Sequence, residues 1–108
     1  MKILFVENHS IFAQQVTTHF LSKHQVTVVP SLSAARSSLV TDQFDLLLID
    51  YDLDDGKGSV LVQELREAGN KIRIVGVSAR EEGNAALLEA GADSICSKME
   101  FNRIQELI

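Results

Sequence analysis

Residues 50–55 read DYDLDD, four aspartates in six positions, directly after the apolar run LLLI. Acid groups at that density suggest one of three chemistries. The loop binds calcium, one aspartate is the nucleophile of a phosphatase, or one aspartate is itself phosphorylated. A calcium loop starting at Asp50 needs glycine at its sixth position and glutamate at its twelfth. Those positions hold Asp55 and Leu61, and a strand-like run precedes them, so calcium is excluded. The other chemistry-bearing residues also follow apolar runs: Glu7, Asn8 and His9 after KILFV, Ser78 after IRIVGV, Lys98 after SICS. Carboxylate oxygens from two strand ends, joined by a backbone carbonyl, make a hard-oxygen site suited to Mg2+ that keeps several waters. A lysine and a hydroxyl at the same edge hold the oxygens of a phosphoryl group. Asp50 is then the nucleophile, with metal and lysine neutralising the charge that develops in an in-line transfer.

The elements that must position these groups alternate along the chain. KILFV (2–6), VTVV (26–29), FDLLLID (44–50), IRIVGV (72–77) and SICS (94–97) are short and aliphatic. Most lack polar alternation, as parallel strands covered on both faces do. Helical patterns fill the gaps. Ser10 is placed to cap a helix that turns Ile11, Phe12, Val16 and Phe20 inward, and Ser31 or Ser33 to start one burying Ala34, Ala35, Leu39 and Val40. In SVLVQELREA the stripe is Val60, Leu61, Leu65 and Ala68, with Gly69 as the stop. Glu81–Ala90 ends at Gly91, and Phe101–Leu107 begins a last helix that breaks off early. This is an α/β pattern, a doubly wound five-stranded parallel (βα)5 sheet of the flavodoxin-like kind, in a single domain over 1–108. Ligands of such sheets gather beyond the carboxyl ends of the strands.

The stretches ILFVENHS, DLLLIDYDLDDGKG, IVGVSAR and GADSICSK, in that order and spacing, resemble the receiver domains of bacterial two-component response regulators. The resemblance covers essentially the whole chain, and its strength lies in four motifs in the family's order on the expected fold. It implies that Asp50 accepts a phosphoryl group, that Glu7 and Asn8 are the acidic-pair positions that help bind Mg2+, and that Asp52 supplies a backbone carbonyl to the metal. Ser78 falls at the switch hydroxyl, Lys98 at the lysine that contacts the acyl phosphate, and Gly58 at the glycine that opens the third helix. A sensor histidine kinase or phosphotransfer protein is the implied donor. The implied output is a homodimer or effector contact on the face made by the fourth helix, fifth strand and fifth helix. Such a domain is a switch and not an enzyme.

Several positions depart from the family pattern. Asn8 replaces the usual aspartate and removes a formal charge from the metal site, which predicts weaker Mg2+ binding. Ile95 stands where many receivers carry an aromatic ring that turns inward upon phosphorylation. Met99 and Asp54 replace frequent prolines, and a trans bond is expected before Met99 because a cis bond there costs about 3–4 kcal/mol. The stretch from Ser78 to Gly91 is short, so the fourth helix is trimmed. These departures favour an alternative reading, a degenerate receiver that binds partners without phosphorylation. DYD after LLLI also resembles the first motif of haloacid-dehalogenase-type phosphatases. Those enzymes place it on their first strand, whereas here it falls on the third.

Bulk properties narrow the setting. A net charge of −5 over 108 residues argues against nucleic-acid binding by this domain. No apolar run approaches a membrane span. The lone cysteine, Cys96, suits a reducing cytoplasm and reads as a buried small hydrophobe. His9, His19 and His24 lack ligand spacing among themselves and read as helix-start or surface groups. Asp54 and Asp55 read as solvated loop residues.

Overall fold

Three of the aliphatic runs, KILFV, LLLI and the run ending at Ser78, end up as central strands buried on both faces, and the other two lie at the sheet edges. The computed structural model describes residues 1–108 throughout. Its strands are β1 (Lys2–Val6), β2 (Gln25–Val29), β3 (Leu46–Ile49), β4 (Arg73–Ser78) and β5 (Ser94–Ser97), all parallel in the order β2-β1-β3-β4-β5. Between them run α1 (Ser10–Phe20), α2 (Leu32–Thr41), α3 (Gly58–Glu67) and α4 (Glu81–Ala90). Alternate strand residues serve two cores. Ile3, Phe5, Leu46 and Leu48 face α1 and the C-terminal segment, whereas Leu4, Val6, Leu47 and Ile49 face α2, α3 and α4. The chain steps from β1 outward to β2 and then back across β1 to β3. That reversal opens a crevice beyond the ends of β1 and β3.

The expected elements are all present, with local corrections. Strand β2 lies at the sheet edge and is largely exposed, with Val28 at 41%, so its apolar run is covered on one side only. Helix α1 begins at Ser10, but its N-cap is His9 and no side chain caps it. Ile11 is 72% exposed, while Ala13 and Val16 are buried. For α2 the expected cap holds: Ser31 Oγ accepts from the Ala34 amide at 3.1 Å. Val40, expected inward, is 86% exposed at the helix end. In α3 the buried stripe is Gly58, Leu61 and Val62, with Leu65 half-buried, an i, i+3, i+4, i+7 pattern that shares Leu61 and Leu65 with the expected one. Val60 and Ala68 face outward, and Gly69 stops the helix at φ +78°.

Two segments differ from expectation in kind. The acidic loop after β3 folds as a tiny antiparallel ribbon, Asp52–Leu53 against Gly56–Lys57. The last helix is not α-helical. Lys98–Glu106 is 3-10 helix in two pieces, kinked at Glu100 and capped by Ser97 Oγ, which accepts from the Met99 amide at 3.2 Å. Its anchor is Phe101, stacked on Phe5 and edge-on to Phe12. The Lys98–Met99 peptide is trans.

Candidate functional site

Strand register places the first pair of acids. Val6 lies opposite Ile49, and the ladder runs one step further as the Asp50 amide donates to the Val6 carbonyl at 3.0 Å. Glu7, the next residue of β1's chain, donates its amide to Val29 of β2 at 2.9 Å. Glu7 and Asp50 are thereby held side by side at the reversal crevice, and both are buried. Lys98, one residue past β5, reaches back across the sheet ends. Its Nζ lies 2.9 Å from Asp50 Oδ2, 3.0 Å from Glu7 Oε2 and 2.8 Å from Glu7 Oε1. The ammonium also sits 5.0 Å above the Phe12 ring, which shields it from water.

Two carboxylates and one ammonium leave this buried trio one negative charge in formal surplus. Burial pushes the Glu7 carboxyl up from the ordinary glutamate value, and nearby Asp50 adds to the shift against the opposing pull of Lys98. For Lys98 burial acts against the charged form, but hydrogen bonds and charge from Glu7 and Asp50 win and raise its pKa. Asp50 Oδ1 is turned to its neighbour's amide, accepting from Tyr51 N–H at 2.7 Å. Below Asp50, the loop is pressed against α3. A Cβ on Gly58 would lie 2.0 Å from the Asp50 carbonyl oxygen, so only glycine fits there without moving backbone.

Asn8 lies beside the trio and donates from Nδ2 to Asp54 Oδ1 at 3.1 Å. An ionised aspartate only accepts, so this bond sets the orientation of the amide. It leaves Asn8 Oδ1 buried without a donor, as is Glu7 Oε1 apart from its ion contact with Lys98. Ligand atoms of Glu7, His9 and Asp50 also lie within 4.8 Å of one another. An unpaired amide oxygen beside two carboxylates that carry a surplus negative charge fits a hard divalent cation such as Mg2+. The side chains able to hold it are those of Glu7, Asp50 and Asn8.

Ser78 ends β4 on the far side of β3 and is buried, but it makes no hydrogen bond to the trio. Its Oγ accepts from the Arg80 amide at 3.2 Å. Asp52 stands at the mouth of the crevice with an exposed carboxylate shared between Lys57 and Arg80, the latter at 2.5 Å. Those partners hold its acid below the usual range, Lys57 contributing most. Asp54 and Asp55 are not merely solvated. Asp54 holds Asn8, and Asp55 caps α2 by accepting from the Leu32 and Ser33 amides at 2.8 and 3.0 Å. His9 is a helix-start, surface residue as expected, but it also reaches the trio, and two further residues, Gly83 and Asn84, have no counterpart among the sequence candidates. His9, exposed itself, places Nδ1 3.2 Å from Glu7 Oε2. Gly83 and Asn84, in the first turn of α4, pack against Ser78. Nothing in the local pattern marks Asn84, because its partner lies on another element.

A parallel sheet of this order, carrying acids past its first and third strands and a lysine past its fifth, defines a receiver-type α/β domain. The chain belongs to the response regulator receiver domain family, whose profile matches residues 3–108. It is 31% identical over 101 residues to the response regulator protein PmrA of Pseudomonas aeruginosa, covering 91% of this chain and 46% of that protein. The chain thus spans about half the length of that curated relative. Among solved structures, the receiver domain of the Francisella response regulator 1452 superposes with a TM-score of 0.82 at 23% identity, over 98% of this chain and 94% of the other. A receiver domain from a P. aeruginosa sensor histidine kinase, solved with magnesium in its active-site cleft, gives 0.81 at 23% identity over 98% and 94%. The Thermotoga maritima response regulator TrrA, in complex with Mg2+ and beryllofluoride, gives 0.84 at 15% identity over 99% and 98%. No helix is long and apolar enough to cross a membrane.

Proposed function

We propose that residues 1–108 form one receiver domain that works as a phosphorylation-dependent switch, with Asp50 as the acceptor. The donor in this reading is the phosphohistidine of a sensor histidine kinase or phosphotransfer protein in the cytoplasm. A carboxylate oxygen of Asp50 attacks phosphorus in line as the N–P bond breaks and the imidazole leaves. Lys98 stays within reach of the acyl phosphate and offsets charge that moves onto its oxygens. Mg2+, held by Glu7, Asp50, the Asn8 amide oxygen and the Asp52 backbone carbonyl, would supply further neutralisation of phosphoryl oxygens. Ser78 then turns its hydroxyl toward the phosphoryl group, which biases a two-state equilibrium read by an effector or a second copy on the α4–β5–C-terminal face.

The observation that carries this reading is Lys98, almost buried and bonded to both Asp50 and Glu7. Burying a cation between two carboxylates is expensive unless geometry compensates, and a single hydrophobic triple would pack as well. The test is incubation with Mg2+ and acetyl phosphate followed by intact mass. One added phosphoryl group, absent in Asp50→Asn, is the expected result. The second reading, a phosphorylation-independent interaction module, draws on Asn8 being engaged by Asp54 and on the exposed Ile95 in β5 and Met99 just past it. No adduct and no beryllofluoride binding would establish that module instead.

A further inference from the structure

Ser78 is gripped by the first turn of α4 more tightly than strand pairing requires. Its amide donates to Asn84 Oδ1 at 3.0 Å, and its carbonyl accepts from Asn84 Nδ2 at 3.3 Å. The carboxamide therefore closes a ring with the N–H and C=O of one residue, as a neighbouring strand would. Asn84 is buried, with 6% exposure, and its own amide donates to Arg80 O at 3.2 Å to start the helix. A buried amide with both ends satisfied holds its partner rigidly, since loss of either bond leaves an unpaired polar group. Gly83, one residue earlier, closes the remaining gap. A Cβ there would lie 2.4 Å from Ser78 Oγ, 3.1 Å from Ser78 Cβ and 3.1 Å from Tyr51 Cβ. The start of α4 thus touches both the Ser78 hydroxyl and the residue that follows Asp50.

We propose that Asn84 is a positioning residue that fastens the Ser78 peptide to α4, with Gly83 giving clearance, so that a turn of Ser78 toward a phosphoryl group on Asp50 is carried into α4 as movement of its first turn. This rests on the phosphorylation reading above. Two features make the link mechanical. Ser78 cannot shift its backbone without dragging the Asn84 side chain. The hydroxyl, now held by the Arg80 amide at 3.2 Å, lies against Gly83, and turning it away opens a space into which the first turn of α4 follows. Asn84→Ala removes both bonds. Asn84→Asp is isosteric and keeps an acceptor for the Ser78 amide, but an ionised carboxylate cannot donate to the Ser78 carbonyl.

The test uses amide NMR and hydrogen exchange on the whole chain, with Mg2+ and beryllofluoride as the phosphoryl analogue. In wild type, signals around Asp50 and Lys98 and those of Glu81–Leu88 shift together on addition of the analogue. In Asn84→Ala, the Asp50 and Lys98 signals still shift while the α4 response falls at least about threefold, and Asn84→Asp falls between. Without analogue, exchange of α4 amides rises about tenfold in Asn84→Ala while β1 and β3 stay protected. An unchanged α4 response or unchanged α4 exchange in a folded Asn84→Ala or Asn84→Asp variant overturns the coupling. If wild type responds nowhere to the analogue, the phosphorylation reading fails and the coupling with it. That outcome differs from the first, where wild type and variants respond alike.

Discussion

At Asn8 the loss of a carboxylate is compensated locally, because its amide donates to Asp54 at 3.1 Å. Asn8→Asp would set two carboxylates against each other there, replacing a hydrogen bond by repulsion. Without divalent cation the variant should lose about 1 kcal/mol of stability. With Mg2+ the added charge reverses the balance, and affinity should tighten about tenfold. Titration calorimetry and melting curves in EDTA check both signs; equal Mg2+ affinity would show that residue 8 does not face the ion. Glu7 makes a pH prediction. Its folded pKa is raised above 4.5 by burial first and Asp50 next, so the folded chain binds this proton more tightly than the unfolded chain. The associated stability is complete below about pH 4.5 and is lost as pH rises through the folded value. Wild type should therefore lose stability relative to Glu7→Gln across that window, read from melting temperatures between about pH 4 and 7 in EDTA. A flat difference would mean that burial does not govern Glu7.

At the scale of elements, the loop from Asp50 to Gly58 shows how closely a helix must approach a reactive strand end. Gly58 N donates to Tyr51 O at 2.6 Å, and its missing Cβ leaves room for the Asp50 carbonyl. Gly58→Ala should cost about 1–3 kcal/mol, because backbone and not a flexible side chain must yield. It should also slow phosphoryl uptake by displacing Asp50, whereas Gly69→Ala, with open space around its Cβ, strains only its own positive φ. Urea melts and uptake rates on the two variants separate those effects. Strand cores were legible from aliphatic runs, and α4 from its spacing and Gly91. Helix α1's cap was not, since Ser10 and His9 both precede the pattern and a cap is decided by which side chain meets a free amide. In α3 Leu61 and Leu65 point inward as expected, but Val62 replaces Val60 and Ala68 faces outward, because the docking of Gly58 on the Asp50 loop sets the rotation of that helix.

Across the whole molecule, the two faces of the sheet are closed by different devices. Three helices cover one face, whereas α1 and the 3-10 segment cover the other, with Phe101 meeting Phe5, Phe12 and Phe20 at ring separations of 6.0, 5.8 and 6.0 Å. Phe101→Ala should cost about 3–5 kcal/mol, a large share of the roughly 5–15 kcal/mol that holds a domain of this size. Chemical denaturation checks this, and a loss below about 1 kcal/mol would mean the segment is only a loosely docked tail. Phe12 lies between Phe101 and the Lys98 ammonium, so the variant should also loosen the lysine's approach to Asp50.

Taken alone, the amino-acid order determined the fold class and the five strands, and it singled out Asp50, Glu7, Asn8, Ser78 and Lys98 as candidates, because aliphatic runs and the residues ending them are local properties of the chain. The tertiary structure alone decided which of these meet: Glu7, Asp50 and Lys98 come together through strand register and one long side chain, while Ser78 is turned to Arg80. It also assigned Asp54 to Asn8, Asp55 to the start of α2 and Asn84 to Ser78. Those pairings join residues on different elements, so their partners are set by how the elements dock and not by spacing along the chain.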